Sequence, residues 1–383
     1  MSNGKRRLNA LRRLLFLITA VGAIWFILNK TNYKPVLDDL ESRIHTITED
    51  NDLSAVADSL RTGINQLAIQ LEELIDENPD KPEQLLNEKL KKPELNAPAK
   101  QMFSVYNIEI GDPREKVEQQ MGKPKRISMN EYGVEWYAYH ENYQNFMMLA
   151  YDTDDKVAGL YTNQDLIVSA NGIKLGSSRQ SVLNQLGEPL TKIRKGLVHY
   201  QFEKQRDYDL FQEKDSFITV FYDKHQNNTV TSIQIISEEL EQQKHDFYTP
   251  ANNQIKQGFE YQLFDLTNAS RVQHGLPILT WNEHVKETAR KHSSDMANKN
   301  YFNHTNPEGQ SPFDRMKEDD IFFSVAGENL AYGQFSSIFA HEGLMNSLGH
   351  RENILNKDFE YLGVGVAFNS ESHPYYTENF FSN

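Results

Sequence analysis

Two stretches of this chain repeat each other at a constant offset of 65 residues. Ile110-Gly-Asp-Pro-Arg-Glu-Lys-Val-Glu-Gln-Gln-Met-Gly-Lys-Pro124 aligns without a gap on Leu175-Gly-Ser-Ser-Arg-Gln-Ser-Val-Leu-Asn-Gln-Leu-Gly-Glu-Pro189. Gly111, Arg114, Val117, Gln120, Gly122 and Pro124 thereby fall on Gly176, Arg179, Val182, Gln185, Gly187 and Pro189. Coincidences this dense mark duplicated supersecondary units. In each unit Asp112 or Ser177 is placed to cap a short helix with Val117/Met121 or Val182/Leu186 as its apolar side. The Gly-x-Pro then stops it. Strand-like runs follow, at Val134–Tyr139, Phe146–Tyr151 and Lys156–Tyr161 in the first unit. In the second they are Leu197–Phe202, Phe217–Tyr222 and Thr229–Ile236, with polar turns at 152–155 and 223–228. The expectation is a tandem helix-plus-antiparallel-sheet domain over residues 104–240. Arg114 and Arg179 recur near the helix starts, where either an anion or a local carboxylate is the expected partner.

A chain of 383 residues exceeds one ordinary core, so the flanking segments must be accounted for separately. Lys5, Arg6, Arg7, Arg12 and Arg13 precede an apolar run from Leu14 to Leu28. With Leu8 to Leu11 partly included, residues 8–28 approach the roughly 20 needed to span hydrocarbon. The basic cluster should stay cytoplasmic and send everything after Lys30 outward. A cleavable signal peptide is the rival, with Val21-Gly-Ala23 as its small residues. The run continues through Ile24-Trp-Phe-Ile-Leu28, however, which favours an uncleaved anchor over residues 1–30. Residues 31–103 read as an acidic stalk. Leu53, Val56, Leu60, Ile64, Leu67, Leu71 and Leu74 recur at helical steps, and Pro79 and Pro82 end the pattern. A formal charge of −14 argues against a general nucleic-acid surface. The absence of cysteine excludes disulfides, thiolate nucleophiles and cysteine-held metals.

The chemistry gathers in residues 250–383. Leu263, Leu266 and Ser270 share one helix face, and Val285, Ala289, His292 and Met296 another. Between and after them come Tyr301-Phe-Asn-His304, Gly309-Gln-Ser-Pro-Phe-Asp-Arg315, Gly327-Glu-Asn329, Met345-Asn-Ser-Leu-Gly-His-Arg-Glu-Asn-Ile-Leu355 and Leu362-Gly-Val-Gly-Val366. Two imidazoles and a carboxylate can bind a divalent metal such as zinc or move a proton. His304, Glu328 and His350 lie 24 and 22 residues apart, so any such site depends on the fold and not on a compact helical motif.

These ordered motifs resemble the CAP superfamily of cysteine-rich secretory, antigen 5 and pathogenesis-related proteins, in its cysteine-free bacterial form. The duplicated region is similar to the CAP-associated domain of membrane-anchored Firmicutes proteins. The resemblance implies an α+β chain: an N-terminal transmembrane helix, the duplicated domain, and a C-terminal α-β-α sandwich. Its cleft usually presents two histidines and two glutamates. His304 matches the first histidine, Glu328 the first glutamate and His350 the second histidine, while Ser347 stands where the second glutamate belongs. Leu344 occupies a position usually held by tryptophan. His341 and Glu342 lie just upstream, and the sequence does not decide which way they point.

The candidate catalytic and metal-ligating residues are therefore His304, Glu328 and His350, with Asn329 and Ser347 as candidate ligand contacts. The plain alternative gives Asn329, Ser347 and Asn353 to local structure. His274, His284, His292 and His373 read as surface or packing residues. The leading expectation is a membrane-anchored extracytoplasmic protein whose cleft binds a cell-wall, peptide, glycan or lipid ligand. A metal-assisted hydrolase and a non-catalytic signalling or scaffold protein are the alternatives.

Overall fold

A computed structural model describes residues 90–203 and 206–383. The expected anchor and stalk helix lie outside the described residues. Among the described residues no helix is long and apolar enough to cross a membrane.

The first unit comprises β1 (Phe103–Val105), α1 (Arg114–Met121), β2 (Arg126–Met129), β3 (Glu135–Glu141), β4 (Gln144–Tyr151), β5 (Val157–Thr162) and β6 (Ile167–Ser169). The second comprises α2 (Arg179–Leu186), β7 (Lys192–Lys195), β8 (Val198–Gln201), β9 (Tyr208–Glu213), β10 (Ser216–Asp223) and β11 (Thr229–Ser237). The two units merge into one seven-stranded antiparallel sheet in the order β2-β3-β4-β5-β11-β10-β9. The duplicated helices end as expected: Gly122 and Gly187 take φ of 72° and 79°, a region that suits glycine, and return their N–H to Glu118 and Leu183. Their starts fall one residue later than the sequence suggests. Pro113 and Ser178 are the caps, while Asp112 and Ser177 bond the preceding turn.

The second unit departs from the first in its strands. Leu197–Phe202 was the expected counterpart of Val134–Tyr139, but β8 pairs only with β7, as a separate two-stranded sheet. The sheet edge is filled instead by β9. Arg179 forks onto the buried Asp209 of that strand, with donor–acceptor distances of 2.8 and 2.7 Å, and its guanidinium lies over Tyr222. Arg114 likewise sits over Tyr137 and Tyr151 and bonds Glu118. In this structure both repeated arginines have local carboxylate partners.

Period-2 alternation gives the large sheet two buried faces. Tyr137, Tyr139, Met147, Leu149, Val220 and Ile235 pack with Val117 and Val182 of the duplicated helices. Trp136, Ala138, Phe146, Met148, Tyr161 and Phe221 pack on the other side, in one cluster with the C-terminal domain.

The chain continues through α3 (Glu238–Gln243), α4 (Asn253–Gln273), β12 (Thr280–Trp281), α5 (Glu283–Lys299), α6 (Pro312–Glu318) and β13 (Val325–Tyr332). It ends with α7 (Ser337–Met345), α8 (Leu348–Ile354), β14 (Tyr361–Phe368) and β15 (Pro374–Ser382). The second sheet has the order β12-β14-β15-β13, between α5 on one face and α4 on the other. The Gly-Val-Gly run of β14 explains how α5 packs so closely. A Cβ on Gly363 or Gly365 would lie 2.3 Å from Lys286 N or 2.1 Å from Arg290 N, while Val364 and Val366 face the main core. This is the expected α-β-α sandwich. Helix α4 also lies against β2 of the first domain: a Cβ on Gly258 would stand 1.9 Å from the Met129 carbonyl oxygen. The two domains thus share a core and a backbone-to-backbone contact.

Candidate functional site

The sequence candidates come together at β13, the edge strand of the second sheet. Asn300 ends α5 in the left-handed region, and Tyr301 folds into a cluster with Met296, Leu330 and Tyr375. His292, buried on α5, bonds the Asn303 carbonyl at 3.0 Å. These contacts fix the segment presenting His304, whose side chain is half exposed. Its Nδ1 lies 2.9 Å from Oε1 of Glu328, a side chain only 1% exposed.

The other oxygen of Glu328 belongs to Arg315. Helix α6 begins with a capping box, Ser311 and Asp314 bonding each other's backbone, with Pro312 in the first turn. That start turns Arg315 inward. Its Nη2 donates to Glu328 Oε2 at 2.7 Å and its Nη1 donates to the His304 carbonyl at 2.8 Å. Arg315 therefore holds both the carboxylate and the backbone of its histidine partner. A carboxylate held this way accepts from His304 Nδ1–H, which leaves Nε2 as the ring nitrogen without a carboxylate partner. Nε2 has no protein partner among the described residues.

His350 approaches from α8. Burial, and next the neighbouring His304, push its pKa below the usual value, so the ring is neutral at pH 7. Ser347, one turn earlier, is the N-cap of α8, and its side chain makes no capping bond. Asn329 is brought to the same strand as Glu328 but is fully buried. It donates to the His350 carbonyl at 3.1 Å and to Glu378 Oε2 at 3.0 Å, and it accepts from Asn353 at 2.9 Å. It braces the histidine's helix from beneath.

His341 and Glu342 point away, toward the seven-stranded sheet. Glu342 Oε1 accepts from Tyr161 and Ser232 of the first domain. His341 Nε2 lies 2.7 Å from Ser270 Oγ, which also accepts from Asn163. Burial drives this imidazole down to about 3, so it is neutral. Although Ser270 and His341 form a serine–histidine pair, both are sealed between the domains, and no carboxylate bonds the ring's other nitrogen.

Sequence reasoning left Arg315 and Glu378 without a role. Arg315 sits in a quoted motif whose Ser-x-x-Asp start is legible as a capping box; what it clamps is not. Glu378 is buried in β15, bonded by Thr267 at 2.9 Å and by Asn329, and burial raises its carboxyl to about 7. Among the described residues no group of three or more ligating side chains stands ready to hold a metal. To serve as a third ligand beside two imidazoles, Glu328 would have to present an oxygen from a side chain that is only 1% exposed.

Residues 110–247 match the CAP-associated N-terminal family and residues 264–380 the Cysteine-rich secretory protein family. An uncharacterized membrane protein of Bacillus subtilis, YlbC, is 29% identical over 297 residues, covering 71% of this chain and 82% of its own. A second uncharacterized protein of that organism, YkwD, is 43% identical over 122 residues, 32% of this chain and 46% of its own. The chain thus spans less than half of YkwD. Among solved structures, an extracellular protein containing a SCP domain from Bacillus anthracis superposes with a TM-score of 0.63 at 28% identity, over 77% of this chain and all of that one. A cysteine-rich secretory protein from Staphylococcus aureus has a TM-score of 0.59 at 15% identity, covering 76% and 99%, and shares the fold.

Proposed function

The chain belongs to the CAP superfamily, with a CAP-associated domain preceding the CAP domain, and we propose that it is a membrane-anchored extracytoplasmic protein that binds an envelope ligand at the His304–His350 edge. The apolar run over residues 8–28 supports the anchor. The relatives described as a membrane protein and as an extracellular protein support the location.

One observation carries binding over hydrolysis. Both oxygens of Glu328 are already bonded, one to His304 and one to Arg315. Each oxygen keeps a second lone pair, but the side chain is only 1% exposed, so a substrate or metal does not reach it as a general base or ligand requires. Here the carboxylate orients a ring instead. His304 Nε2 and the neutral His350 ring supply hydrogen-bond donors and acceptors to a polar ligand, and Ser347 stands one helical turn from His350.

The test uses the purified chain, soluble wall glycan fragments and wall peptides, with and without zinc. Binding is read by calorimetry and the ligands afterwards by mass spectrometry. We expect retention of intact ligand, weakened about tenfold in His304→Ala and His350→Ala, as loss of one hydrogen bond of ~1.5 kcal/mol would give. Zinc-dependent cleavage products would establish the hydrolase reading in its place. Unchanged affinity in both variants would move the ligand elsewhere.

A further inference from the structure

The duplicated units present their hairpins differently. In the first, the β2–β3 tip is closed over: Asn130 and Glu131 are fully buried, Thr249 Oγ1 donates to the Glu131 carbonyl, and Tyr132 donates to Glu241. In the second, the β7–β8 tip is bare. Leu197 is 93% exposed and Val198 52%, and Leu197 is the most exposed large apolar side chain among the described residues. The base of this hairpin is firmly held. Ile193 packs with Leu210 and Phe217, Lys195 turns inward to Glu241, and Tyr200 lies 5.2 Å from the ring of Phe247. Arg194 Nε donates to the Gly196 carbonyl at 2.7 Å, which braces the turn itself. An apolar tip on a braced base is prepared for insertion without the entropy cost of ordering a loose loop.

Charge points to what it enters. Residues 190–202 contain Lys192, Arg194 and Lys195 and no Asp or Glu, within a chain of net charge −14. Lys192 and Arg194 are exposed beside the tip. Cations flanking apolar side chains suit an anionic lipid surface, with heads on phosphates and the tip at the acyl boundary. Two apolar residues and two cations give only weak, reversible attachment on their own. A tether in the same bilayer makes the contact intramolecular and raises its occupancy.

We propose that the β7–β8 hairpin is a membrane-contact element, with Leu197 and Val198 inserted at the surface of an anionic bilayer and Lys192 and Arg194 on its headgroups. This rests on the membrane-anchored reading above. The contact would hold the first domain against the bilayer and fix the direction in which the second faces.

The lack of native cysteine makes the test direct. The full chain is reconstituted in phosphatidylcholine vesicles with or without phosphatidylglycerol, carrying a polarity-sensitive dye at Leu197→Cys or, as control, at Glu371→Cys on the exposed β14–β15 turn. With phosphatidylglycerol present we expect the emission at position 197 to shift blue and to be quenched by nitroxide-labelled lipid. Adding Lys192→Glu should diminish the shift, and the control position should stay aqueous. Failure of the chain to float with vesicles would refute the anchor. Flotation with a dye that stays in water at position 197 would refute the hairpin proposal alone. A shift independent of lipid charge that grows with protein density would also overturn it, since it would denote two hairpin tips pairing.

Discussion

Replacing Glu342 by glutamine should make the protein more stable at alkaline pH and leave it unchanged in acid. Glu342 lies on α7, fully buried against the first domain. Its Oε1 accepts from Tyr161 at 2.8 Å and from Ser232 at 2.6 Å, both neutral hydroxyls. Arg351 favours its charge only weakly, Asp223 opposes it, and its neighbour His341 is neutral. Burial prevails and raises the carboxyl from 4.5 to about 7. A shift of this size corresponds to about 3 kcal/mol, the cost of keeping the group ionised inside the fold.

The sign follows from which state holds the proton more tightly. The folded pKa is raised, so the favourable contribution is complete below the unfolded value and is lost as pH climbs through the folded one. Glutamine keeps an acceptor for both hydroxyls and never ionises, although its amide N–H groups offset part of the gain. At about pH 4, below the unfolded value, the E342Q and native proteins should melt together. At about pH 8 the variant should melt later by up to roughly 5–10 °C, the equivalent of ~3 kcal/mol in a unit of this size. Calorimetric melting curves across that range give the difference directly. Glu378, Glu260, Asp265 and Glu131 are also raised by burial, but their contributions are common to both proteins and cancel. A difference that stays flat from acid to alkali would refute the reasoning.

Arg315→Met should cost about 3–5 kcal/mol, because it leaves the buried Glu328 oxygen without a cation and frees the His304 carbonyl; chemical denaturation measures the loss, and ligand binding at the His304 edge should fall with it. Gly258→Ala should destabilise by ~2 kcal/mol or more, since its Cβ would stand 1.9 Å from a backbone oxygen of β2. Limited proteolysis should then cut between the domains sooner than in the native chain, and an unchanged digestion rate would count against a rigid junction.

The sequence exposed the duplication because glycine, proline and apolar spacing are set locally, within one helix and its caps. It failed where partner choice is non-local. Leu197–Phe202 has a strand's composition, yet the sheet recruits Tyr208–Glu213, whose buried Asp209 is stabilised by Arg179 from the unit's helix start. The run Tyr375-Tyr-Thr-Glu-Asn-Phe380 alternates only loosely, and the structure shows why: β15 is central and buried along its whole length, so no solvent face imposes a period of two. His304, Glu328 and His350 were legible as polar residues in turn-forming motifs, and the structure places them near one another. Asn329, from the same motif, lies beneath the edge as a brace. Arg315 and Glu342 could not be assigned, because each acts on an element distant in sequence.

Helix α8 and the residue before its cap join the two domains at the site. Within its seven residues, His350 approaches His304, Arg351 reaches across to Asp223 of the first domain at 2.9 Å, and Asn353 bonds Asn329 and the Glu328 carbonyl. One turn earlier, Asn346 donates to the Tyr222 carbonyl and accepts from Lys224 N–H. The segment presenting His350 is therefore pinned on one side to the platform sheet and on the other to the strand that carries Glu328. His304 has no such link; its supports, α5 and α6, lie on the opposite face of the second sheet. Both histidines lean on the strand that carries Glu328, but only the His350 segment also bonds the first domain directly. The first domain thus contributes direct hydrogen bonds to the segment that presents His350.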